Sequence, residues 1–91
     1  MNRVVAYDLL TAALSSYKDF TAEELANLAG KQSFATKRGT DGVDYLVETT
    51  VARTTGKEAG IRVSGSVTPA DWGAPHDRLE ESFVVPIYPG S

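Results

Sequence analysis

The sequence has no cysteine, and it has a single histidine, tryptophan and methionine. Without cysteine there is no disulfide, no thiolate nucleophile and no cysteine-ligated metal. The chain must stand on packing alone. No apolar run approaches the roughly 20 residues that a membrane helix needs. Charge of one sign is not in excess either, with a net charge of −3 over 91 residues. Such a balance leaves no footprint for a polyanion over the chain as a whole. Met1-Asn2-Arg3-Val4-Val5 carries one basic residue, and Asp8 breaks the apolar stretch behind it, unlike a secretory signal. A cytoplasmic setting is the expectation by elimination.

Motifs that carry chemistry are equally scarce. There is no GxGxxG, no P-loop lysine motif and no nucleophile elbow. His76 stands in a loop with Asp71 and Asp77 as its local company, and a lone histidine there reads as a solvated side chain. Glu80 and Glu81 are adjacent on a strand, so they point to opposite faces and do not form a carboxylate pair. The expectation is a protein that is not an enzyme, with no cofactor and no metal.

What is present is a strong strand pattern. Asp44–Arg53 and Gly60–Val67 read as a hairpin. Tyr45, Val47, Thr49 and Val51 alternate with Asp44, Leu46, Glu48, Thr50 and Ala52. Ile61, Val63, Gly65 and Val67 alternate with Arg62, Ser64, Ser66 and Thr68. A period of two gives each set its own sheet face. One set is mostly apolar and β-branched or aromatic, the other mostly polar, which is the pattern of an antiparallel sheet with one wet face. Gly65 leaves a gap on the apolar face, read as room for a bulky neighbour or a bulge. Glu48, Glu80 and Arg62 are candidates for a solvated cross-strand ion pair on the wet face.

Residues 3–18 read as an amphipathic helix capped by Asn2. Ala6, Tyr7, Leu9, Leu10, Ala13, Leu14 and Tyr17 share one broad face of it. Thr21 and Glu24 form a capping box, with Phe20 and Leu25 at the positions of a hydrophobic staple, so a short helix is expected over 22–29. Gly30 is its natural stop. Residues 31–42 stay open between a short helix and a first edge strand, with Phe34 as their one large apolar residue, expected in the core. Thr40-Asp41-Gly42 is turn chemistry. Thr68 to Asp77, with Trp72, reads as a loop. Arg78 to Tyr88 reads as a further strand, with Pro86 marking a sheet edge.

The predicted architecture is a single α+β domain over residues 1–91. Two N-terminal helices pack on one face of an antiparallel meander of three or four strands. The predicted core holds Tyr7, Leu10, Leu14, Leu25, Leu28 and Phe34 on the helical side. Tyr45, Val47, Val51, Ile61, Val63, Phe83, Val85 and Ile87 supply the sheet side.

Leu25-Ala26-Asn27-Leu28-Ala29-Gly30 resembles the first helix and turn glycine of bacterial helix-turn-helix domains. A basic segment with Lys31, Lys37 and Arg38 comes next, in the place of a recognition helix, and the hairpin stands in the place of a wing. Residues 31–62 carry six basic and four acidic residues, a local excess of +2. The resemblance is to winged-helix domains and implies DNA binding, with Lys37, Arg38 and Lys57 on phosphates.

The first-ranked expectation is a small soluble protein-interaction or regulatory module. Its candidate contacts are Trp72, in a proline-rich loop where it reads either as a lid folded back on the core or as an exposed anchor, and Leu46, Val84 and Tyr88 on the otherwise polar sheet face. An unpaired edge strand offers a partner protein another route. The winged-helix reading ranks second. No membrane partner is expected.

Overall fold

The structure, a computed structural model, describes residues 2–54, 60–70 and 78–87. Helix α1 spans Arg3–Lys18 and α2 spans Ala22–Leu28. Four strands come after them: β1 Gln32–Arg38, β2 Asp44–Arg53, β3 Gly60–Pro69 and β4 Leu79–Pro86. They form one antiparallel sheet in the order β1-β2-β3-β4. The fold is α+β, with both helices packed on the sheet.

The helix starts are explained by their caps. Asn2 Oδ1 accepts the N–H groups of Val4 and Val5 at 3.1 and 3.2 Å. Two donors that the first turn cannot satisfy internally are thereby paired. Thr21 and Glu24 form the reciprocal capping box, with both hydrogen bonds between 3.0 and 3.1 Å. The second helix ends one residue short of the predicted span. Ala29 is already non-helical and Gly30 takes φ +90°, a conformation that glycine adopts without a Cβ clash.

The open segment resolves as a strand, and its neighbours explain why. Gly30 closes α2 before it and the turn at Gly39–Val43 comes after it, leaving residues 31–38, too few for a stable isolated helix. The edge of β2 offers a ladder instead. Gln32 to Arg38 pair in register with Thr50 to Asp44. Gly30 N–H also bonds Val51 O at 2.7 Å, and Val51 N–H bonds Lys31 O at 3.2 Å, tying the end of α2 to β2.

Helix α1 lies across β3 and reaches β4 and β2, while α2 lies mainly on β2. Gly65 makes the close approach possible. A Cβ there would stand 2.9 Å from Leu10 Cδ1 and 3.1 Å from Leu14 Cδ2. The gap in the apolar face is filled by these two helix leucines. Ala6, Leu25, Tyr45, Val47, Val51, Ile61, Val63 and Val67 complete the buried core. Leu28, Phe83, Val85 and Ile87 pack against it half-buried. The Tyr17 hydroxyl closes a 3.0 Å hydrogen bond with Thr49 Oγ1, so the buried threonine hydroxyl under α1 is satisfied.

Two predicted core residues are not in the core. Phe34 is 60% exposed and Tyr7 is 50% exposed. Phe34 sits opposite Glu48, on the face turned away from the helices. Tyr7 lies at the rim of the α1 apolar stripe, where it lines an open surface groove with Val4 and Leu79. Their places in the core go to Ala6 and Val67, smaller residues at the helix–sheet contact.

Candidate interaction surface

Register fixes what the outer face presents. Across the sheet, Thr36, Leu46 and Thr68 form one row; Phe34, Glu48, Ser66 and Glu80 form the next. Gln32, Thr50, Ser64 and Ser82 form a third, and Ala52, Arg62 and Val84 a fourth. Hydroxyls and other polar groups therefore dominate the face. A shallow concavity of about 500 Å³ runs over it, lined by Glu48, Thr50, Arg62, Ser64, Ser66 and Glu80 among others. Glu80 is bonded to Arg78 at 2.6 Å, two residues away on the same face, rather than to Arg62. Both partners are more than half exposed, so the pair is solvated and contributes little to stability.

The apolar residues predicted to form a patch there do not adjoin. Leu46 is opposite Thr68 and Val84 is opposite Arg62, six positions apart along β3. At the rise of a strand that is about 20 Å. Leu46 is half-buried and Val84 is exposed. The apolar neighbour of Leu46 is instead Phe34, diagonal to it across the β1–β2 ladder. Alternation puts Leu46 and Val84 on the right face, but only the strand order brings Phe34 beside Leu46. Trp72 and Tyr88 lie outside the described residues, as do Lys57, His76, Asp71 and Asp77.

A recognition helix is absent from 32–38, because that segment is β1. Lys37 and Arg38 are successive strand residues and point to opposite faces, so they do not address one duplex together. Arg38 Nε is bonded to Asp44 Oδ1 at 3.1 Å across the ladder, which occupies its charge locally.

Strand β1 is the unusual element. All seven of its residues are exposed, whereas β2 alternates buried and half-buried residues through its middle. The helical layer covers β2, β3 and β4, and β1 projects past it. The turn after β1 sets its hydrogen-bond parity. Gly39 N–H bonds Val43 O at 2.8 Å, and Gly42, at φ +80°, bonds Gly39 O at 3.0 Å. Asp41 Oδ1 accepts Val43 N–H at 3.1 Å and Oδ2 accepts the Tyr45 hydroxyl at 2.7 Å. The Tyr45 hydrogen bond holds the Asp41 carboxyl below its ordinary value, and the Val43 N–H adds to this. Burial pushes the Tyr45 phenol up, and the Asp41 carboxylate pushes in the same direction.

The Gly39–Val43 and Lys31–Val51 bonds bracket the β1–β2 ladder. In an antiparallel pair, hydrogen-bonded positions recur every second residue. Ser33, Ala35 and Lys37 therefore turn their backbone groups toward β2. Gln32, Phe34, Thr36 and Arg38 turn theirs to the free edge. Among the described residues nothing pairs with that edge.

Comparison with protein-family models, with curated proteins and with solved structures finds no match.

Proposed function

We propose that the chain is a protein-interaction module that takes up an extended segment of a partner along the free edge of β1. The observation that carries this is the exposure of β1 at every position, with four residues directing backbone donors and acceptors away from β2. A row of unpaired backbone groups is a template for strand addition. Main-chain hydrogen bonds supply affinity in this mode, and alternate side chains supply specificity. Phe34, 60% exposed beside Leu46, is the one large apolar side chain on that edge. An aromatic residue there gives an added strand something to cover, and Lys37 favours an acidic side chain opposite it.

Selection from a random peptide library displayed on phage tests this, with NMR titration of the selected peptides as the second step. Binding peptides are expected to shift the amides of 32–38 and to lose affinity at least about tenfold on Thr36→Pro. Thr36 N–H faces the free edge, so its removal leaves the β2 ladder whole. Peptides that bind elsewhere, or bind Thr36→Pro equally well, would exclude strand addition at β1.

A further inference from the structure

We infer that the edge of β1 pairs with β1 of a second copy of this chain, in an antiparallel register centred on Ala35. This rests on the strand-acceptor reading above and names its partner. The sequence of the strand is Gln32-Ser33-Phe34-Ala35-Thr36-Lys37-Arg38. A two-fold axis at Ala35 sets Gln32 against the second copy's Arg38, Ser33 against its Lys37 and Phe34 against its Thr36.

Three features of the strand select this register. The first is hydrogen-bond parity. The outward-directed residues are Gln32, Phe34, Thr36 and Arg38, and this register pairs each of them with another of the same set. Two bonds per such pair give about eight across the seam. A slip of one residue pairs outward groups with inward ones and removes the ladder. A slip of two shortens it to about six bonds.

The second is charge. No like charges stand opposite each other, since Lys37 meets Ser33 and Arg38 meets Gln32. The two Lys37 side chains lie about 13 Å apart along the strands, beyond the screening length of roughly 8 Å at physiological salt. The third is the aromatic. Phe34 becomes the diagonal neighbour of the second Phe34 on the outer face, at about 7–8 Å. Both rings are 60% exposed in the single chain and each gains cover from the other. The two four-stranded sheets become one continuous sheet.

Ala35 gives the test. It is exposed, so a charged side chain costs the single chain little. Across the axis it faces itself in a non-hydrogen-bonded pair, where side chains come closest. Sedimentation velocity from about 10 μM to about 1 mM reads the association, because a small polar seam belongs at the weak end of affinities. The wild-type chain is expected to dimerise within that range. Ala35→Lys and Ala35→Glu should each weaken the dimer at least about tenfold. Mixing the two variants should restore it to within about threefold of wild type, because opposite charges then meet at the axis. Amide exchange on each variant at low concentration confirms that the single chain is folded.

A chain that stays monomeric at about 1 mM overturns self-pairing. So does a dimer indifferent to both charges, or one that the mixture fails to restore. These outcomes separate from the broader reading through the peptide selection. Peptides bound at 32–38 on a monomeric chain leave β1 a strand acceptor for another protein; no such peptides on a monomeric chain removes both.

Discussion

Strands β1 and β3 belong to one sheet and share one hydrogen-bonding chemistry, yet they are built for different purposes. Strand β3 is paired on both edges and carries α1 across its inner face, with Ile61, Val63 and Val67 fully buried. Strand β1 is paired on one edge and buries none of its residues. The difference lies in what each offers to a neighbour. Strand β3 presents β-branched residues around a glycine that admits two leucines. Strand β1 presents small and polar side chains around one phenylalanine. Burial at about 25 cal/mol per Å² of apolar surface stabilises the first and leaves the second dependent on its ladder with β2. Stability should therefore concentrate in the β2–β3 centre and its helices, and β1 should tolerate substitution with little loss.

The largest effect belongs at the helix–sheet contact. Leu25 is fully buried and is the one fully buried residue of α2, a helix too short to persist without docking. Leu25→Ala should lower unfolding free energy by about 2–5 kcal/mol in urea titration. A loss below about 1 kcal/mol would show that α2 does not depend on the core. Next comes Gly65→Val, which pushes methyl groups into Leu10 and Leu14 and should cost about 1–3 kcal/mol. The double variant Gly65→Val with Leu10→Ala should be less destabilised than the sum of the two singles, because the smaller helix residue makes room. Simple additivity would mean that α1 does not rest on Gly65.

The contrast between the two strands also marks where the sequence was legible. Asn2, Thr21, Glu24 and Gly30 act through local geometry, so their roles can be read without knowing the fold. The alternation in 44–53 and 60–67 assigned faces correctly, because a period of two is a property of one strand. What the chain alone withholds is lateral order. Phe34 resembles a core residue until β1 is known to lie at the edge, past both helices. Leu46 and Val84 share a face in the sequence, but the register sets them six positions apart. The neighbour that Leu46 does have, Phe34, comes from a segment whose own pattern decided neither helix nor strand. Its state is set by the edge of β2 and by two flanking glycines, which is tertiary context overriding weak propensity.

A smaller effect tests the junction of the two regions, where the β1–β2 turn meets the core. Tyr45→Phe removes the hydroxyl that Asp41 accepts and should cost about 1 kcal/mol at neutral pH. The pH dependence carries its signature. The Asp41 value is lowered by folding, so its contribution is present above the ordinary value of 3.8 and is lost as pH falls below it. The Tyr45 value is raised by folding, so its contribution is present below the ordinary value of 10.0 and is lost as pH rises above it. Tyr45→Phe should flatten the alkaline limb and shallow the acid one in unfolding titrations run across pH. Unchanged limbs would detach Tyr45 and Asp41 from the stability of the turn.

The smallest effect is the sharpest contrast with Leu25. Phe34 is larger than leucine and would rank among the costliest deletions if it were in the core. At 60% exposure on an edge strand its removal leaves no cavity. Phe34→Ala, measured at a concentration where the chain is monomeric, should change stability by no more than about 0.5 kcal/mol. A loss comparable to that of Leu25→Ala would mean that β1 is part of the core in solution and that its edge is not free. A small loss at low concentration, growing as the protein is concentrated, carries a different meaning. Stability would then depend on association through this strand, because a partner that binds only the folded chain stabilises it by mass action. Phe34 is kept exposed by the position of its strand at the edge of the sheet.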